Sequence, residues 1–584
     1  MKPIKNLRFF DEIHAYLLFS YCIFNFHCIM KITDVGRLLV MVMRVRYKNF
    51  NQLSFADVLV YSKLPEHPFW SAVERVIDFS FADTLCAVLY TGIGQHPYAP
   101  SLKLKIHLVQ SYYALSDRRN EEKIIGDLFI KRFLQLPVDF FGFDHSTIGL
   151  DRSRMGEAMF RACHFYILAQ MYHRGLWGEH NEQWIIDSFP TPIALVRHGA
   201  RRLIQQAMIR LIQHVRKRAP QPACRAFESL PLDAIRIRLS ASATDAEHML
   251  AFSKLVAQAY ALLHWFENEH VMPLLKEWKY AEQSQQLRAI LRRILEENSR
   301  ETTPEEPLQP GQPAYEKIPK NKRPKDRIES AVDPQARTAV KRSKVTVGYK
   351  TQNLCTTGGV ILDTRTIPAS EHDQQATAGM VATLQRFFSR TPAALIGDAA
   401  YGYGPQRVLM ARQGVHVIAP VPVSVNPTGL FPIASFVYDA DRDAFTCPGG
   451  QQNKRRSHNA KLEGAQYFFD KKVCAECPLR AQCTTNETGG RTVFRSDYAS
   501  VHERAQKENA SVAGQEALRK RKLVERKNQE LKNDCGLGRT KTRSRLALQL
   551  KATCAAIVVN LKHAVRKLLS PNPGFLRRAR ASFQ

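Results

Sequence analysis

The chain has 584 residues, which at ordinary domain sizes predicts three or four domains. Its 45% hydrophobic and 24% charged residues are typical of a globular protein and argue against wholesale disorder or a polytopic membrane protein. The 84 Lys and Arg residues exceed the 54 Asp and Glu residues by 30. Such an excess favours a polyanionic partner, usually nucleic acid, although a solvated basic surface gives the same count.

The first 42 residues differ from the rest of the chain. Residues 13–30 contain no Asp, Glu, Lys or Arg and have about the length that spans a bilayer, yet they include His14, Asn25 and His27, which are costly in hydrocarbon. We expect translation to start at Met43 and residues 1–42 to be a spurious upstream extension. A membrane anchor and an ordinary buried helix are the alternatives.

Residues 43–175 are predicted to form a helical N-terminal DNA-binding domain. Apolar residues recur at three-to-four spacing in 102–115 and in 124–134, with the capping signal Ser116-Asp117 between them. Short helices with many basic side chains are compatible with a helix-turn-helix module. A plain helical scaffold fits equally well.

Residues 176–429 alternate strand and helix patterns, which predicts the first part of an α/β core. Residues 183–187 resemble a short buried strand that ends in an acid. Strand patterns return at 344–350 and 359–367. A helix is predicted over 374–389.

Two further segments interrupt or complete this core. A helical insertion is expected over 193–298, followed by a linker over 299–326 in which residues 303–325 contain six prolines. Residues 501–584 are expected to hold the C-terminal part of the core and a basic helical tail, since 20 Lys and Arg residues face 6 Asp and Glu residues there. The tail would add sequence-independent affinity for DNA.

Three acids are candidates for a common metal site. Asp187 and Asp398 each follow a short apolar run, and ligands bind at the carboxyl edge of open α/β sheets. Glu525 lies in a helix predicted over 515–533, whose face also presents Arg521 and Lys532. Three carboxylates can hold two divalent ions for phosphodiester chemistry, and the cations would grip phosphates. Acids that merely end strands and decorate helices are the alternative.

The helix around Glu525 carries the most specific resemblance. Bacterial insertion-sequence transposases of the DDE type, in the RNase-H-like superfamily, hold their last catalytic acid in a Tyr-x2-Arg-x3-Glu-x6-Lys signature. This chain has Leu518-x2-Arg521-x3-Glu525-x6-Lys532. Leucine in place of the family's tyrosine puts the phosphate contact of that position in question and leaves the acid in place.

The other two acids lie in similar contexts. Asp187 in Trp-Ile-Ile-Asp-Ser-Phe-Pro-Thr resembles the family's first acid, and Asp398 in Ile-Gly-Asp-Ala-Ala-Tyr-Gly-Tyr resembles the second. Residues 97–154 are similar to the helical domain that commonly precedes these cores. The similarity runs from about Met43 to about Leu569, which agrees with a start at Met43.

The resemblance implies a DNA transposase that cleaves at element ends and transfers strands into target DNA. It implies an RNase-H-like α/β core with a helical N-terminal domain, a helical insertion and a cysteine-rich insertion. Asp187, Asp398 and Glu525 would bind Mg²⁺ or Mn²⁺, and Arg521 and Lys532 would contact DNA phosphates. A homodimer in a synaptic complex, in the bacterial cytoplasm at the nucleoid and without membrane contact, is expected. A related metal-dependent nuclease without strand transfer and a non-enzymatic zinc-dependent DNA-binding protein are the alternatives.

Four of the twelve cysteines lie within 37 residues, at Cys447, Cys474, Cys477 and Cys483. Cys-x2-Cys places two thiolates on one turn, and two more soft ligands complete a tetrahedral zinc or iron–sulfur site. The transposases that the chain resembles often carry the same Cys-Pro-Leu-Arg-x2-Cys stretch. We expect a zinc-stabilised insertion over 430–500, and reduced, unligated cysteines are the alternative.

Asp373 is a further acid at the end of a strand pattern. It would either join the metal ligands as a fourth carboxylate or cap the helix that follows, and helix capping is the more ordinary role of such an acid.

Overall fold

The computed structural model describes residues 45–50, 54–90, 94–142, 144–177, 182–194, 198–302, 312–341, 343–421, 429–538 and 540–569. In these ranges the helices are α1 (Phe55–Lys63), α2 (Trp70–Val76), α3 (Phe81–Leu85), α4 (Pro100–Tyr112), α5 (Asp117–Gly126), α6 (Leu128–Leu134), α7 (His145–His173), α8 (Ala200–Arg218), α9 (Gln221–Glu228), α10 (Asp245–Trp265), α11 (Ala281–Asn298), α12 (Thr377–Phe388), α13 (Gly404–Arg412), α14 (Lys471–Ala475), α15 (Arg480–Cys483), α16 (Ala499–Ala510), α17 (Val512–Arg519), α18 (Lys522–Asn533) and α19 (Arg545–Leu569). The strands are β1 (Trp184–Pro192), β2 (Ser299–Glu301), β3 (Tyr315–Lys317), β4 (Arg337–Lys341), β5 (Lys344–Thr356), β6 (Ile361–Pro368), β7 (Ala394–Ile396), β8 (His416–Ile418), β9 (Val437–Asp439), β10 (Ala444–Thr446), β11 (Arg455–Asn459), β12 (Gly464–Phe468) and β13 (Thr492–Ser496).

The N-terminal segment that we interpreted as upstream sequence, residues 1–42, lies outside the described residues, as does the apolar stretch within it. In the part of the chain that is described, no helix has the length and apolar character needed to cross a bilayer.

A mixed sheet in the order β4-β5-β1-β7-β8, with β6 also paired to β5, lies at the centre of the fold. β1 pairs antiparallel with β5 and parallel with β7. Trp184, Ile185 and Ile186 of β1 are each at most 1% exposed. Such an uninterrupted apolar run suits a central strand covered on both faces, and each buried isoleucine stabilises the fold by about 1.5–3 kcal/mol. The chain is therefore a mixed α/β protein, as predicted.

Strand β5 changes its partner along its length. Its first part pairs with β4, and the part from Tyr349 onward pairs with β6. Gly348 lies at the change with a φ of +139°, where a Cβ would approach the Thr191 carbonyl oxygen to 2.9 Å. Glycine suits this position because it adopts a positive φ without strain and has no Cβ to collide with the carbonyl oxygen. The two predicted strands at 344–350 and 359–367 are confirmed as β5 and β6, although β5 continues to Thr356.

Helices α1–α7 confirm the helical character predicted for the N-terminal region. Ser116 caps α5 as expected, since its side chain accepts a hydrogen bond from the Arg119 backbone N–H. The helical spacing over 124–134 is divided between α5 and α6, because Asp127 leaves the helical conformation and caps α6 by accepting a hydrogen bond from the Ile130 N–H. Apolar side chains of these helices and of the sheet form one continuous core.

The helical insertion between β1 and β4 has a core of its own. Helices α8, α10 and α11 pack together and bury side chains such as Leu211, Phe252 and Leu291. The segment predicted as a linker, 299–326, contains regular structure, because β2 and β3 pair antiparallel and β3 packs against α10. Residues 303–311 within it lie outside the described residues.

The cysteine-bearing insertion is a small β-rich unit. It contains the pair β9–β10 and the three-stranded sheet β11–β12–β13. Its core is limited to a few side chains, among them Phe436, Phe445 and Tyr467, with three of the cysteines packed against them. Units with so small an apolar core usually depend on a cross-link or a structural metal.

The last described helix, α19, is a core element and not a free tail. Ile557, Val558 and Leu561 are fully buried, and the helix packs against α4, α7 and β6. The expectation of a basic helical tail is therefore corrected up to Leu569, because the apolar face of α19 is covered by the rest of the protein. Residues 570–584 lie outside the described residues.

Two amides of α19 also satisfy the open edge of the sheet. Asn560 Oδ1 accepts a hydrogen bond from the Ile361 N–H at 2.7 Å, and its Nδ2 donates to the Ile361 carbonyl at 2.8 Å. Further along β6, Gln549 accepts from the Thr366 N–H at 2.6 Å and donates to the Thr364 carbonyl at 2.9 Å. Side chains thus replace the strand that would otherwise be needed to protect this edge.

Candidate active site

Asp187 lies in the middle of β1 and not at its end. The predicted strand 183–187 is too short, since β1 continues to Pro192 alongside β5. Its parallel pairing with β7 stops at Ile185 opposite Ile396. Two residues further along each strand are Asp187 and Asp398, so the register brings these acids to the same level of the sheet, where neighbouring strands lie about 4.8 Å apart.

Asp398 begins a short 3₁₀ turn, Ala399–Tyr401, directly after β7. Its Oδ1 accepts a hydrogen bond from the Ala400 N–H at 2.9 Å, which fixes the side chain at the turn. Tyr401 folds back against Gly397, where a Cβ would lie 2.8 Å from the tyrosine's own Cβ. The Gly-Asp-Ala-Ala-Tyr stretch therefore forms a tight corner that presents Asp398 at the sheet edge.

Glu525 lies in the first turn of α18, which packs across β1 and β5. The single helix predicted over 515–533 is wrong, because α17 and α18 are separate helices that meet at Lys520 and Arg521. Arg521 still has a helical backbone conformation, so it remains one turn before Glu525. Leu518, at the position of the family's tyrosine, packs against the main core.

The charges of Asp398 and Glu525 both act on Asp187. Burial raises the pKa of Asp187 to about 6, a hydrogen bond from the Ser188 backbone opposes this rise, and the charges of Asp398 and Glu525 add to it. Arg521 acts in the opposite direction and favours the charged carboxylate. Like charges raise a pKa only when they are near, so Asp398 and Glu525 lie in the surroundings of Asp187.

Two cations lie beside these acids. Arg521 lowers the pKa of Asp187 through space. Burial lowers the pKa of Lys532, and the negative charge of Asp187 opposes this decrease. The Lys532 ammonium lies 5.0 Å from the centre of the Phe189 ring. Within the described residues neither cation forms a direct ion pair with an acid, so both keep donors available for an anionic ligand.

The carboxylate oxygens of the three acids are not gathered around a single point. Among the described residues, Glu121, Asp144 and His145 form a group of possible metal ligands. Their ligand atoms all lie within 4.8 Å of one another. Asp144 caps α7 there, and the backbone N–H of His145 donates to Glu121, so hydrogen bonding explains this group.

Two buried amides that the sequence did not single out support Asp187. Asn528 Nδ2 donates a hydrogen bond to Asp187 Oδ2 at 2.9 Å, and Asn353 Nδ2 donates to Asn528 Oδ1 at 2.8 Å. Asn353 lies directly opposite Asp187 in the register of β1 and β5. Helical spacing was the missed signal, because Asn528 is three residues after Glu525 and four before Lys532, on the same helix face.

Asp373 is neither a helix cap nor a free fourth acid. Its carboxylate forms an ion pair with Lys350 at 2.7 Å, and α12 begins later, after Ala376, without a side-chain cap. The backbone carbonyl of Asp373 accepts a hydrogen bond from Gln352 Nε2, which also donates to the Tyr401 hydroxyl at 2.9 Å. This network ties β5 to the corner that carries Asp398.

The four predicted cysteines line one cavity of about 50 Å³ in the β-rich insertion. A Cβ on Gly449 would lie 3.5 Å from Cys477 Sγ and 3.7 Å from Cys447 Sγ, so both sulfurs approach the same backbone position. Burial raises the pKa of the Cys483 thiol, Arg491 opposes this rise, and the three other thiols add to it. The fold thus brings together cysteines that are up to 36 positions apart in the sequence.

Two family models match the chain. One is described as a transposase domain (DUF772) and matches residues 58–154, and the other is described as a transposase DDE domain and matches residues 322–561. The chain belongs to the DDE transposases. No curated protein and no solved structure matches it.

This DNA transposase is an enzyme that acts on DNA, so the non-enzymatic alternative is wrong. Asp398 and Glu525 lie inside the matched DDE domain, whereas Asp187 lies between the two matched ranges. It reaches the site because β1 inserts between β5 and β7 of the matched domain.

Proposed function

We propose that Asp187, Asp398 and Glu525 are the catalytic acids of this transposase, carried by an RNase-H-like core. The observation that carries the proposal is that Asp187 and Asp398 lie at the same level of neighbouring parallel strands and that the charges of Asp398 and Glu525 both act on Asp187. In support of the core assignment, the first acid lies on a central strand that has an antiparallel neighbour on one side and a parallel neighbour on the other. The last acid lies on a helix packed across these strands.

The donor set fits hard divalent cations. Three carboxylates offer oxygen ligands, which Mg²⁺ and Mn²⁺ prefer. Burial and like charges disfavour the ionised form of Asp187, and this is the situation that a cation relieves. Asp187, Asp398 and Glu525 would hold the ions, which when bound generate a nucleophile from water and neutralise charge on the phosphate.

Two displacements on phosphorus follow from such a site. At an element end, water attacks a phosphodiester, a new P–O bond forms, and the bond to the 3′-oxygen breaks to leave a 3′-hydroxyl. In strand transfer, that hydroxyl attacks a phosphodiester of the target, and the target's own 3′-oxygen leaves. Arg521 and Lys532 would hold the phosphates during both steps by charge-assisted hydrogen bonds.

A wider basic surface adjoins the acids. We name it the basic turn, and it consists of Arg519, Lys520, Arg521, Lys522 and Arg526. Four of these side chains are exposed and Arg521 is partly so. Within the described residues none of them forms an ion pair, and Lys520 donates to Gln183 Oε1 at 2.8 Å, just before β1. Unpaired cations at this place favour contacts to the DNA backbone on either side of the reacting phosphate.

Substitution of the acids tests the catalytic proposal. Asp187→Asn, Asp398→Asn and Glu525→Gln should each lower Mg²⁺-dependent nicking of end-containing DNA by more than about 100-fold, since even loss of an outer-shell partner costs 10–100-fold. DNA binding in EDTA should be retained, because the basic turn is intact. Glu516→Gln, which removes one charge from an exposed position on α17, is the matched control. A Glu525→Gln protein that nicks normally contradicts the proposal.

The products of the same reaction separate a transposase from a nuclease that lacks strand transfer. With pre-cut ends and a target plasmid, we expect covalent joint molecules that depend on the 3′-hydroxyl. Ends with a 3′-deoxy terminus should give none. Nicking without joint molecules would favour the nuclease.

We infer that Cys447, Cys474, Cys477 and Cys483 bind one structural zinc. What supports this is the shared cavity of the four sulfurs and the small apolar core around it. Cys477→Ser should lose the metal and loosen this insertion, whereas Cys224→Ser, a cysteine on α9 that bonds only backbone carbonyls, should keep it. Elemental analysis of protein purified under reducing conditions checks both, and metal-free wild-type protein would contradict the inference.

We further infer that the transposase works as a homodimer in a synaptic complex at the bacterial nucleoid, because two element ends must be cut and joined together. The helical N-terminal region matched by the first family model would contribute to recognition of the ends. Its shared core with the sheet would hold bound DNA at a constant position relative to the acids.

A further inference from the structure

A pair of buried amides connects β5, α18 and β1 beneath the acids. Asn353 and Asn528 are 0% and 3% exposed. Their hydrogen bonds run in one direction, from Asn353 Nδ2 to Asn528 Oδ1 at 2.8 Å and from Asn528 Nδ2 to Asp187 Oδ2 at 2.9 Å. Each bond joins a different pair of elements, so the two amides fix the distance between the Glu525 helix and the Asp187 strand.

The chemistry of Asn528 suits a carboxylate that must bind a cation. An amide N–H stabilises and orients the ionised oxygen, yet it adds no positive charge that would compete with a metal ion. A lysine or arginine at this distance would form an ion pair with Asp187 and occupy the carboxylate. The available cations instead lie further away, since Arg521 and Lys532 act on Asp187 without direct contact.

Asn353 reinforces the orientation in which the NH₂ group of Asn528 faces Asp187, an orientation that the carboxylate also favours because it only accepts hydrogen bonds. An asparagine side chain can present either its NH₂ group or its carbonyl oxygen after a rotation of 180°. Because Asn353 donates to Asn528 Oδ1, the NH₂ group is left for Asp187. The reverse orientation would place two oxygens against each other in a buried site, at the full cost of an unsatisfied polar group.

We propose that Asn528 is a positioning residue that holds Asp187 in the orientation required for metal binding, and that Asn353 reinforces the orientation of the Asn528 amide. This inference rests on the proposed role of Asp187 as a metal ligand. It extends the site from three acids to a supporting pair that neither the acid triad nor the basic signature contains.

Metal binding measured directly, with Mn²⁺ as the probe, tests this proposal in the full chain. Free Mn²⁺ is followed by electron paramagnetic resonance, and the signal of Asp187→Asn is subtracted so that ions held elsewhere, such as at Glu121, cancel. Asn528→Ala should weaken the Asp187-dependent Mn²⁺ site by about 10–100-fold. Asn353→Asp should weaken it by a similar factor, because an aspartate accepts from the Asn528 NH₂ group and turns its oxygen toward Asp187.

Asn120→Ala is the matched control. Asn120 is 0% exposed and donates to the Ile106 carbonyl at 3.2 Å, within the N-terminal helices. It should keep wild-type Mn²⁺ affinity although it also loses a buried amide. Thermal unfolding in EDTA and duplex binding in EDTA verify that each variant is folded.

The outcomes are distinct. The positioning role alone is overturned if Asp187→Asn loses the Mn²⁺ site while Asn528→Ala and Asn353→Asp bind Mn²⁺ as the wild type does. If Asp187→Asn itself leaves Mn²⁺ binding unchanged, the proposed metal centre fails. If Asn120→Ala weakens Mn²⁺ as much as Asn528→Ala, the effect is general destabilisation and the positioning role is overturned.

Discussion

Two regions near the C-terminus are similarly basic in the sequence and opposite in structure. The basic turn between α17 and α18 leaves its five cations without ion pairs in the described chain, and Glu525 lies among them. Most of the cations of α19 are instead engaged by the protein. Arg545 pairs with Glu157 at 3.2 Å, Lys562 with Asp534 at 3.3 Å, and burial lowers the pKa of Lys551.

The pairing of α19 serves the helix that carries Glu525. Arg566 contacts Glu530 on α18 at 3.2 Å, and Glu530 also pairs with Lys527 at 3.0 Å. A net positive charge in the sequence therefore has two uses here. On one side of α18 it is available to DNA, and on the other side it holds α18 against the core.

The largest expected difference is in DNA affinity. Changing Arg519, Lys520, Lys522 and Arg526 together to Gln should lower the slope of log affinity against log salt concentration by up to about 3.6, which is 0.9 for each phosphate that is no longer neutralised. Random and end-containing duplexes should bind more weakly to the same degree, because phosphate contacts carry little sequence information. Fluorescence anisotropy at several salt concentrations measures the slope.

The counterpart on α19 is the double change Lys562→Gln and Arg566→Gln. It should leave the slope at its wild-type value if these cations serve the fold. A fall equal to that of the basic-turn variant would show that both regions bind DNA and would remove the contrast between them.

A smaller effect, on the free energy of unfolding, is expected when a side chain on the buried face of α19 is truncated. Leu561 is 0% exposed, and Leu561→Ala should lower the free energy of unfolding by about 2–5 kcal/mol. Leu546 on the same helix is 41% exposed, so Leu546→Ala should change it by about 0.5 kcal/mol or less. Denaturant titration followed by circular dichroism compares them. Equal effects would mean that α19 is not a core helix.

The smallest effect concerns a single ion pair between the two helices. The Arg566 side chain is 61% exposed, and Arg566→Gln should lower the free energy of unfolding by at most about 1 kcal/mol, less at high salt. Nicking activity should be unchanged, since Lys527 still pairs with Glu530. A loss of activity with normal stability would instead place Arg566 at the DNA.

Local patterns in the sequence were sufficient to predict the elements that carry the acids. An apolar run before an acid predicted β1, and the spacing of Arg521, Glu525 and Lys532 predicted one helix face. These features depend on interactions between near neighbours, so a linear pattern records them. The sequence did not predict where these elements end, because β1 continues past Asp187 by pairing with β5, which is distant in the sequence.

What the sequence by itself determined is the set of candidate site residues, since three acids, their neighbouring cations and four cysteines are recognisable from residue type and spacing. Only the tertiary structure decided which of them act together and what supports them. Asn353 and Asn528 are 175 positions apart and look like ordinary polar residues until β5 and α18 cross. Likewise, whether Lys562 and Arg566 face DNA or acids of α18 depends on packing between distant segments, because a charge has no preferred partner until folding brings one within reach.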